Sequence, residues 1–300
     1  MAILNGLTIN DTGFLNIPRG TNAQRPTDPA SGTVRLNTTH AQLEVYLINK
    51  WYDMETGFPS RDLGTSASVA AESADAIISA NPEAEDGIYW IDLPIVGPTQ
   101  IYCMMNREFG QEGGYMLALK ATRGTTFNYD SSYWTAPAIL NETSQLNRND
   151  ADAKFHVFNY FAASKFLAFF PDLNNGGQTS GAGSGWHWLL TSQNQTGLAR
   201  FQATENISNS PQNETMYVGS GFSRQDGYRR YGINYIEGGG VNSVRWGFGW
   251  NNETDFGSND VSGGIGMSSK FENFSAGDHI NCCETITGVD RSARVEIWVK

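Results

Sequence analysis

Asp86-Gly87-Ile88-Tyr89-Trp90-Ile91-Asp92, Gln100-Ile101-Tyr102-Cys103-Met104-Met105 and Gly113-Gly114-Tyr115-Met116-Leu117-Ala118-Leu119-Lys120 are three short apolar and aromatic runs separated by Gly and Pro. Runs of this length between turn residues read as β-strands. Gly113-Gly114 offers positive φ values for a tight hairpin, and Tyr115 and Leu117, two residues apart, then point into one core. Upstream, Thr65 to Asn81 is Ala-rich, and Val69, Ala70, Ser73, Ala74 and Ile77 fall on one helical face before Pro82 ends the run. At the far end, Ala293 to Val299 reads as a closing strand with Val295, Ile297 and Val299 on one face. Between these elements lies a long aromatic- and Gly-rich region of little periodicity, without an internal repeat or heptad pattern.

Residues 1–55 read as a separate module. Pro18, Pro26 and Pro29 exclude a helix there, and Thr33 to Asn37 and Gln42 to Leu47 alternate like two strands of a hairpin. So small a β piece buries little core by itself, so oligomerisation or docking is expected. Residues 56–82 read as a linker and short helix, and 83–300 as the main domain.

Composition narrows the function classes. Gly is abundant at 33 residues and charged residues are sparse at 17%, which suits a β-rich α+β fold with long Gly-rich loops better than a helix bundle. The net charge of −11, with Arg229-Arg230 as the longest basic run, argues against nucleic acid as a partner. The N-terminal stretch lacks the basic and apolar regions of a signal peptide, and the best apolar run, Phe166 to Phe170, is far shorter than a membrane span, so no membrane insertion is expected. Three cysteines, Cys103 and the vicinal Cys282 and Cys283, suit neither a dense disulfide framework nor a zinc site; a bridge from Cys103 to either of the others is left open. No nucleophile elbow, phosphate loop or zinc-protease motif is present, and the expectation is a binding protein and not an enzyme.

Two resemblances sharpen this reading. Pro18, Gly20, Thr21, Ala23 to Pro26, Pro29, Gly32, Arg35, Asn37, Thr38, Tyr46 and Trp51 resemble a segment of about 40 residues common in bacteriophage tail and virion structural proteins. That resemblance implies a virion location, other virion tail proteins as partners and a homotrimer. Residues 74–119 resemble the start of a fibrinogen-like domain, the intelectin branch in particular: Asp75 to Ser79 as the opening helix, Asp86-Gly87-Ile88-Tyr89, Tyr102-Cys103-Met104, and Gly113 to Leu117. The cysteine that in this family precedes and pairs with the one at Cys103 is missing, as is the Trp-Trp-Met-Asn signature of vertebrate fibrinogens.

Residues 247–266 loosely resemble the intelectin loop that holds a sugar-binding calcium, although its His ligand has no counterpart here. Asn251, Asn252, Glu253, Asp255, Asn259 and Asp260 offer six oxygen-bearing side chains within ten positions, as hard cations require, with Gly257 and Gly263-Gly264 allowing sharp turns. Trp250 and Phe256 stand where rings flanking a sugar diol could stand. A solvated loop of Asx-turns explains the same residues without an ion. Asp150 and Asp152 form a second acidic cluster, where intelectins have a structural calcium segment; a polar loop is the plainer account. Trp186 and Trp188, on one face if they lie in a strand, read as a core pair, and Trp246 and Phe248 also read as core, whereas His156 and His279 suggest no chemistry. The function expected is therefore a phage tail-fibre or tail-tip adhesin that binds a host cell-surface glycan, with calcium as the candidate bridging ion. The alternative is a non-catalytic structural or decorating virion protein that uses the fibrinogen-like fold for protein contacts.

Overall fold

The computed structural model describes residues 15–55, 57, 61–106, 112–171, 186–202, 228–236, 242–251, 260–269, 273–280 and 289–300. The chain divides into two compact units, Met1–Leu63 and Gly64–Lys300. The division falls after Leu63, eight residues beyond the boundary read from sequence, because Asp62 is held by Arg25. Residues 64–82, read as linker and helix, belong to the second unit.

In the first unit β1 (Arg19–Gly20), β2 (Thr33–Asn37), β3 (Gln42–Leu47) and β4 (Lys50–Asp53) form one sheet in that order, with β2 and β3 the hairpin expected from alternation. Its polarity is inverted relative to an ordinary small sheet. Arg35, Asn37 and Glu44 are buried with Trp51, while the opposite face carries Val34, Leu36, Val45 and Tyr52 together with the exposed Leu43, Leu47 and Met54. The interior is an ion network. Both carboxylates, Glu44 and Asp62, engage the Arg25 guanidinium, Arg35 lies 3.5 Å from Glu44, and the Arg25 and Arg35 guanidiniums lie 5.4 and 6.0 Å from the Trp51 ring centre. Asn37 donates to Asn22 and Glu44 and accepts from the Thr39 amide, which also shapes the β2–β3 turn. Gly20 leaves room for Arg35, whose Nη2 would lie 2.7 Å from a Cβ there, and Gln24 caps Thr21 across a short 3-10 turn. Small size is thus offset by charge pairing rather than by an apolar core.

The second unit opens with α1 (Ala74–Ala80), capped by Ser73 and shorter than the helix expected from Thr65. Between a 3-10 turn at Ala67–Val69 and α1, Ala71 bridges Ile91 and hydrogen-bonds on both sides to the edge strand, which interrupts the helical path. A large sheet contains β5 (Gly87–Leu93), β6 (Gly97–Met104), β7 (Tyr115–Ala121), the short β8 (Ala153–Lys154), β9 (Ala163–Phe170) and β10 (Trp186–Gln195). A smaller sheet is built from β11 (Tyr228–Ile236), β12 (Asn242–Asn251), β13 (Val261–Ser269), β14 (Asn273–Ile280) and β15 (Val289–Ser292) as a simple antiparallel meander. The last strand, β16 (Val295–Val299), inserts between β7 and β9 in the middle of the large sheet, so all five of its residues are buried and not only one face.

The three strands read from the sequence lie where expected, but β6 and β7 are not joined by a tight turn. Gly114 alone has positive φ, and Gly113 is required because a Cβ there would lie 1.7 Å from the Met105 carbonyl. Asp86 shapes the end of β6, where its carboxylate accepts from the Met105 and Asn106 amides. Cys103 is a free, buried thiol that burial pushes well above the ordinary thiol range, so it carries no thiolate at neutral pH.

Short helices α2 (His156–Tyr160) and α3 (Gly197–Gln202) bring Phe158 and Phe201 against Trp134, and Phe201 onward to Trp246 of the small sheet. Trp188 contacts Phe170, Trp246 and Phe248, joining the two sheets. The core reading of Trp188, Trp246 and Phe248 therefore holds, since each is at most 1% exposed, while the side chain of Trp186 lies outside the described residues. No helix among the described residues is long and apolar enough to cross a membrane.

Two ammonium groups anchor the long irregular stretch between β7 and β9. The Lys154 Nζ donates to the Tyr133 and Ala136 carbonyls, and burial pushes its pKa down to about 8. Lys120 is also pushed down to about 8, first by burial and then by Arg294. Between about pH 8 and 10.5 the unfolded chain holds protons that the folded chain has released, so stability rises with pH in that window. A neutral amine still donates two hydrogen bonds, which matches the two carbonyls at Lys154. Above pH 10 the trend reverses through Tyr115, whose hydroxyl burial pushes up to about 12. Urea titrations at stepped pH check this: the midpoint should climb from pH 8 to 10, and less steeply in Lys154→Met. Equal slopes in both proteins would remove Lys154 from the account.

Candidate functional site

The small sheet positions Asn251 and Asp260, the two ends of the acidic stretch that the sequence singled out. Its backbone register pairs Trp250 with Val261, so Asn251 and Asp260 form the two feet of a hairpin connection at one rim of the sheet. At that same rim Tyr228 pairs with Asn251, Val261 with Ile280, and Ile280 with Val289. The described residues Tyr228, Asn251, Asp260, Ile280 and Val289 therefore lie along one edge of the sheet; the segments 203–227, 252–259 and 281–288 that they flank lie outside the described residues.

Of the residues expected at a calcium or sugar site, Asn252, Glu253, Asp255, Phe256 and Asn259 lie outside the described residues, as does the side chain of Trp250. Asn251 is fully buried and Asp260 is 4% exposed, and both are engaged in interactions within the chain. Near them lie further buried polar groups that the sequence reading missed: Ser262, Asp278 and His279, with Arg291 forming a two-pronged ion pair to Asp278. The register explains this pair, because Asp278 lies directly opposite Arg291 on β15. An Asp and an Arg 13 residues apart were the available signal.

Gly263-Gly264 is not part of a turn. Both residues lie inside β13, and Gly264 belongs to a row of four glycines, Gly232, Gly247, Gly264 and Gly277, each directly opposite the next on β11 to β14. A Cβ on Gly247, Gly264 or Gly277 would come within 2.1–2.3 Å of a neighbouring carbonyl oxygen. The glycines serve close backbone approach across the sheet, which sequence alone made look like loop chemistry.

The second acidic cluster has protein partners for both carboxylates. Asp152 accepts from the Thr122 amide, the Thr122 hydroxyl and the Thr126 hydroxyl at 2.7, 3.1 and 2.6 Å, fastening the turn after β7. Asp150 lies 2.5 Å from Arg123 at the surface. The polar-loop account of these two residues is the one this geometry supports. The neighbouring oxygens of Gln145, Asn147 and Asn149 are turned toward Lys120. His156 is held by Glu142 through both its backbone amide and Nδ1, and it stacks on Tyr160. Among the described residues no group of three His, Cys, Asp or Glu side chains could hold a metal ion.

No protein-family model matches the chain, and no curated protein matches it.

Proposed function

We propose that the chain is a phage tail-fibre or tail-tip adhesin whose second unit recognises a host cell-surface glycan at the rim of the small sheet, with calcium as bridging ion. The observation that supports this reading is that the buried polar residues Asn251 and Asp260, which flank the oxygen-rich sequence 252–259, lie at one rim with Tyr228, Ile280 and Val289. Recognition sites are commonly built in this way, from loops gathered at one end of a rigid sheet. The resemblance of residues 74–119 to fibrinogen-like domains adds the substrate class, and that of the first unit to virion proteins adds the location. The first unit attaches the chain to other tail proteins and to its own copies, as a homotrimer; the exposed apolar side chains on its outer sheet face supply a surface for that contact. On this reading the protein is a binder and not a catalyst.

Calcium binding to the folded state alone raises stability by about 2.7 kcal/mol at a hundredfold excess over Kd. Millimolar calcium should therefore raise the melting temperature of the full chain, and Glu253→Ala or Asp255→Ala should remove the increment. These two are better probes than Asp260, whose burial makes its loss a threat to the sheet itself. Differential scanning calorimetry with and without calcium decides: an unchanged calcium response in both variants removes the ion from this loop.

A further inference from the structure

The segment Gln145–Asn149 is wrapped around the end of one side chain. Lys120 lies on β7, fully buried, and its Nζ is 2.9 Å from both the carbonyl oxygen and Oδ1 of Asn147, 3.1 Å from the Asn149 carbonyl and 3.4 Å from Gln145 Oε1. Backbone carbonyls and amide oxygens converging on one point from a short loop are what a protein presents to a bound cation. The loop is also folded for that purpose: the Gln145 amide donates to the Asn141 carbonyl, the Asn147 amide to the Gln145 carbonyl, and the Asn149 amide to Asn147 Oδ1. Arg148, between the two asparagines, turns the other way, lies 5.2 Å from the Trp298 ring centre, and pairs with Glu296 at 3.0 Å.

We propose that Gln145–Asn149 is a cation-binding loop whose cation is the chain's own Lys120 ammonium, and that a free primary ammonium ion takes its place when the side chain is cut back. The surroundings specify a single positive charge. Glu296 faces Lys120 directly across β7 and β16, but its carboxylate is already engaged by Arg148 and Arg294. Asp150, the nearest other acid on the loop, is drawn out to Arg123. A divalent ion would meet the Arg294 charge, neutral oxygens and a Glu296 carboxylate already held by two guanidiniums, whereas three N–H donors suit three close acceptors and one longer one. The consequence is a long β7–β8 connection fixed in place by a side chain of its own sheet. Lys120 and its loop play this part whatever binds at the rim of the small sheet, which calcium and glycan measurements test separately.

The experiment compares the full-length protein with Lys120→Ala and Lys120→Met, read by hydrogen exchange at the Asn147 and Asn149 amides. Lys120→Ala leaves space for n-propylammonium, which restores the missing carbons and charge, while Lys120→Met fills the space with an uncharged chain. Protection should fall by about tenfold or more in both variants. Added n-propylammonium chloride, at ionic strength matched with sodium chloride, should restore most of it in the Ala variant and none in the Met variant, with no change in the wild type. If the Ala variant does not fold in plain buffer, folding on addition of n-propylammonium gives the same positive result, and failure to fold gives the negative one. Unaltered protection in the variants, rescue by sodium chloride alone, or better rescue by calcium than by n-propylammonium overturns the proposal.

Discussion

Replacing Glu44 by alanine is expected to unfold the first unit while the second stays native. Glu44 is fully buried and accepts from Arg25 and Asn37 and pairs with Arg35, so its removal leaves one guanidinium without its buried partner and the other with only Asp62. Breaking a buried ion pair by deleting one member costs about 3–5 kcal/mol, because the remaining charge stays desolvated without compensation. A unit of four short strands has little apolar burial to offset such a loss. Glu44→Gln keeps an acceptor for Asn37 but not the charge, and should fall between wild type and alanine. Hydrogen exchange in the full chain would show amides of β2 and β3 losing protection while those of β7 and β16 keep theirs. Because we assign self-association to this unit, light scattering should report the mass falling from a trimer to a monomer. Native protection of β2 and β3 in Glu44→Ala would mean that the ion network does not hold the unit together.

Gly264→Ala is expected to destroy the small sheet and, on the adhesin reading, the binding proposed at its rim. The residue has φ +145°, and its Cβ would lie 2.3 Å from the Trp246 carbonyl oxygen and 2.6 Å from the Gly247 Cα. Neither atom is the flexible end of a side chain, so relief requires β12 and β13 to separate. Backbone strain and overpacking together cost roughly 3 kcal/mol or more. The damage should spread, since Gly264 also faces Gly277 and its strand carries Ile265 in the core beside Trp246. Near-ultraviolet circular dichroism should lose the signal of the packed indoles Trp188 and Trp246, and calcium should no longer shift the melting curve. A Gly264→Ala protein with wild-type melting behaviour would contradict the close-approach role of the glycine row.

The strands β2, β3, β5, β6 and β7 were legible because alternation and turn residues are local signals, and Pro82 marked the end of α1 for the same reason. What was not legible depends on partners distant in sequence. The Arg25–Asp62 and Arg148–Glu296 pairs join residues 37 and 148 positions apart. The motif residues Gly20, Gln24, Arg25, Asn37 and Trp51 suggested a virion segment, but their work, building a charged interior, emerges only when β2 and β3 are paired. Gly263-Gly264 read as a turn because glycine's two uses, positive φ and close approach, look alike in one dimension. The short segment before α1 resembled a helix by spacing, yet edge pairing with Ile91 overrode that periodicity. At the rim, the sequence offered candidate oxygen donors in 251–260, whereas the strand register added the place of the flanking Asn251 and Asp260, at an edge shared with Tyr228, Ile280 and Val289.

The most direct test of the central claim is binding of the full-length protein to a glycan array, in calcium and again after chelation. The adhesin reading predicts binding to a restricted set of glycans, lost on chelation, recovered when calcium is returned, and absent in Glu253→Ala. Binding to no glycan in calcium, by protein whose fold and oligomeric mass are intact, would contradict it.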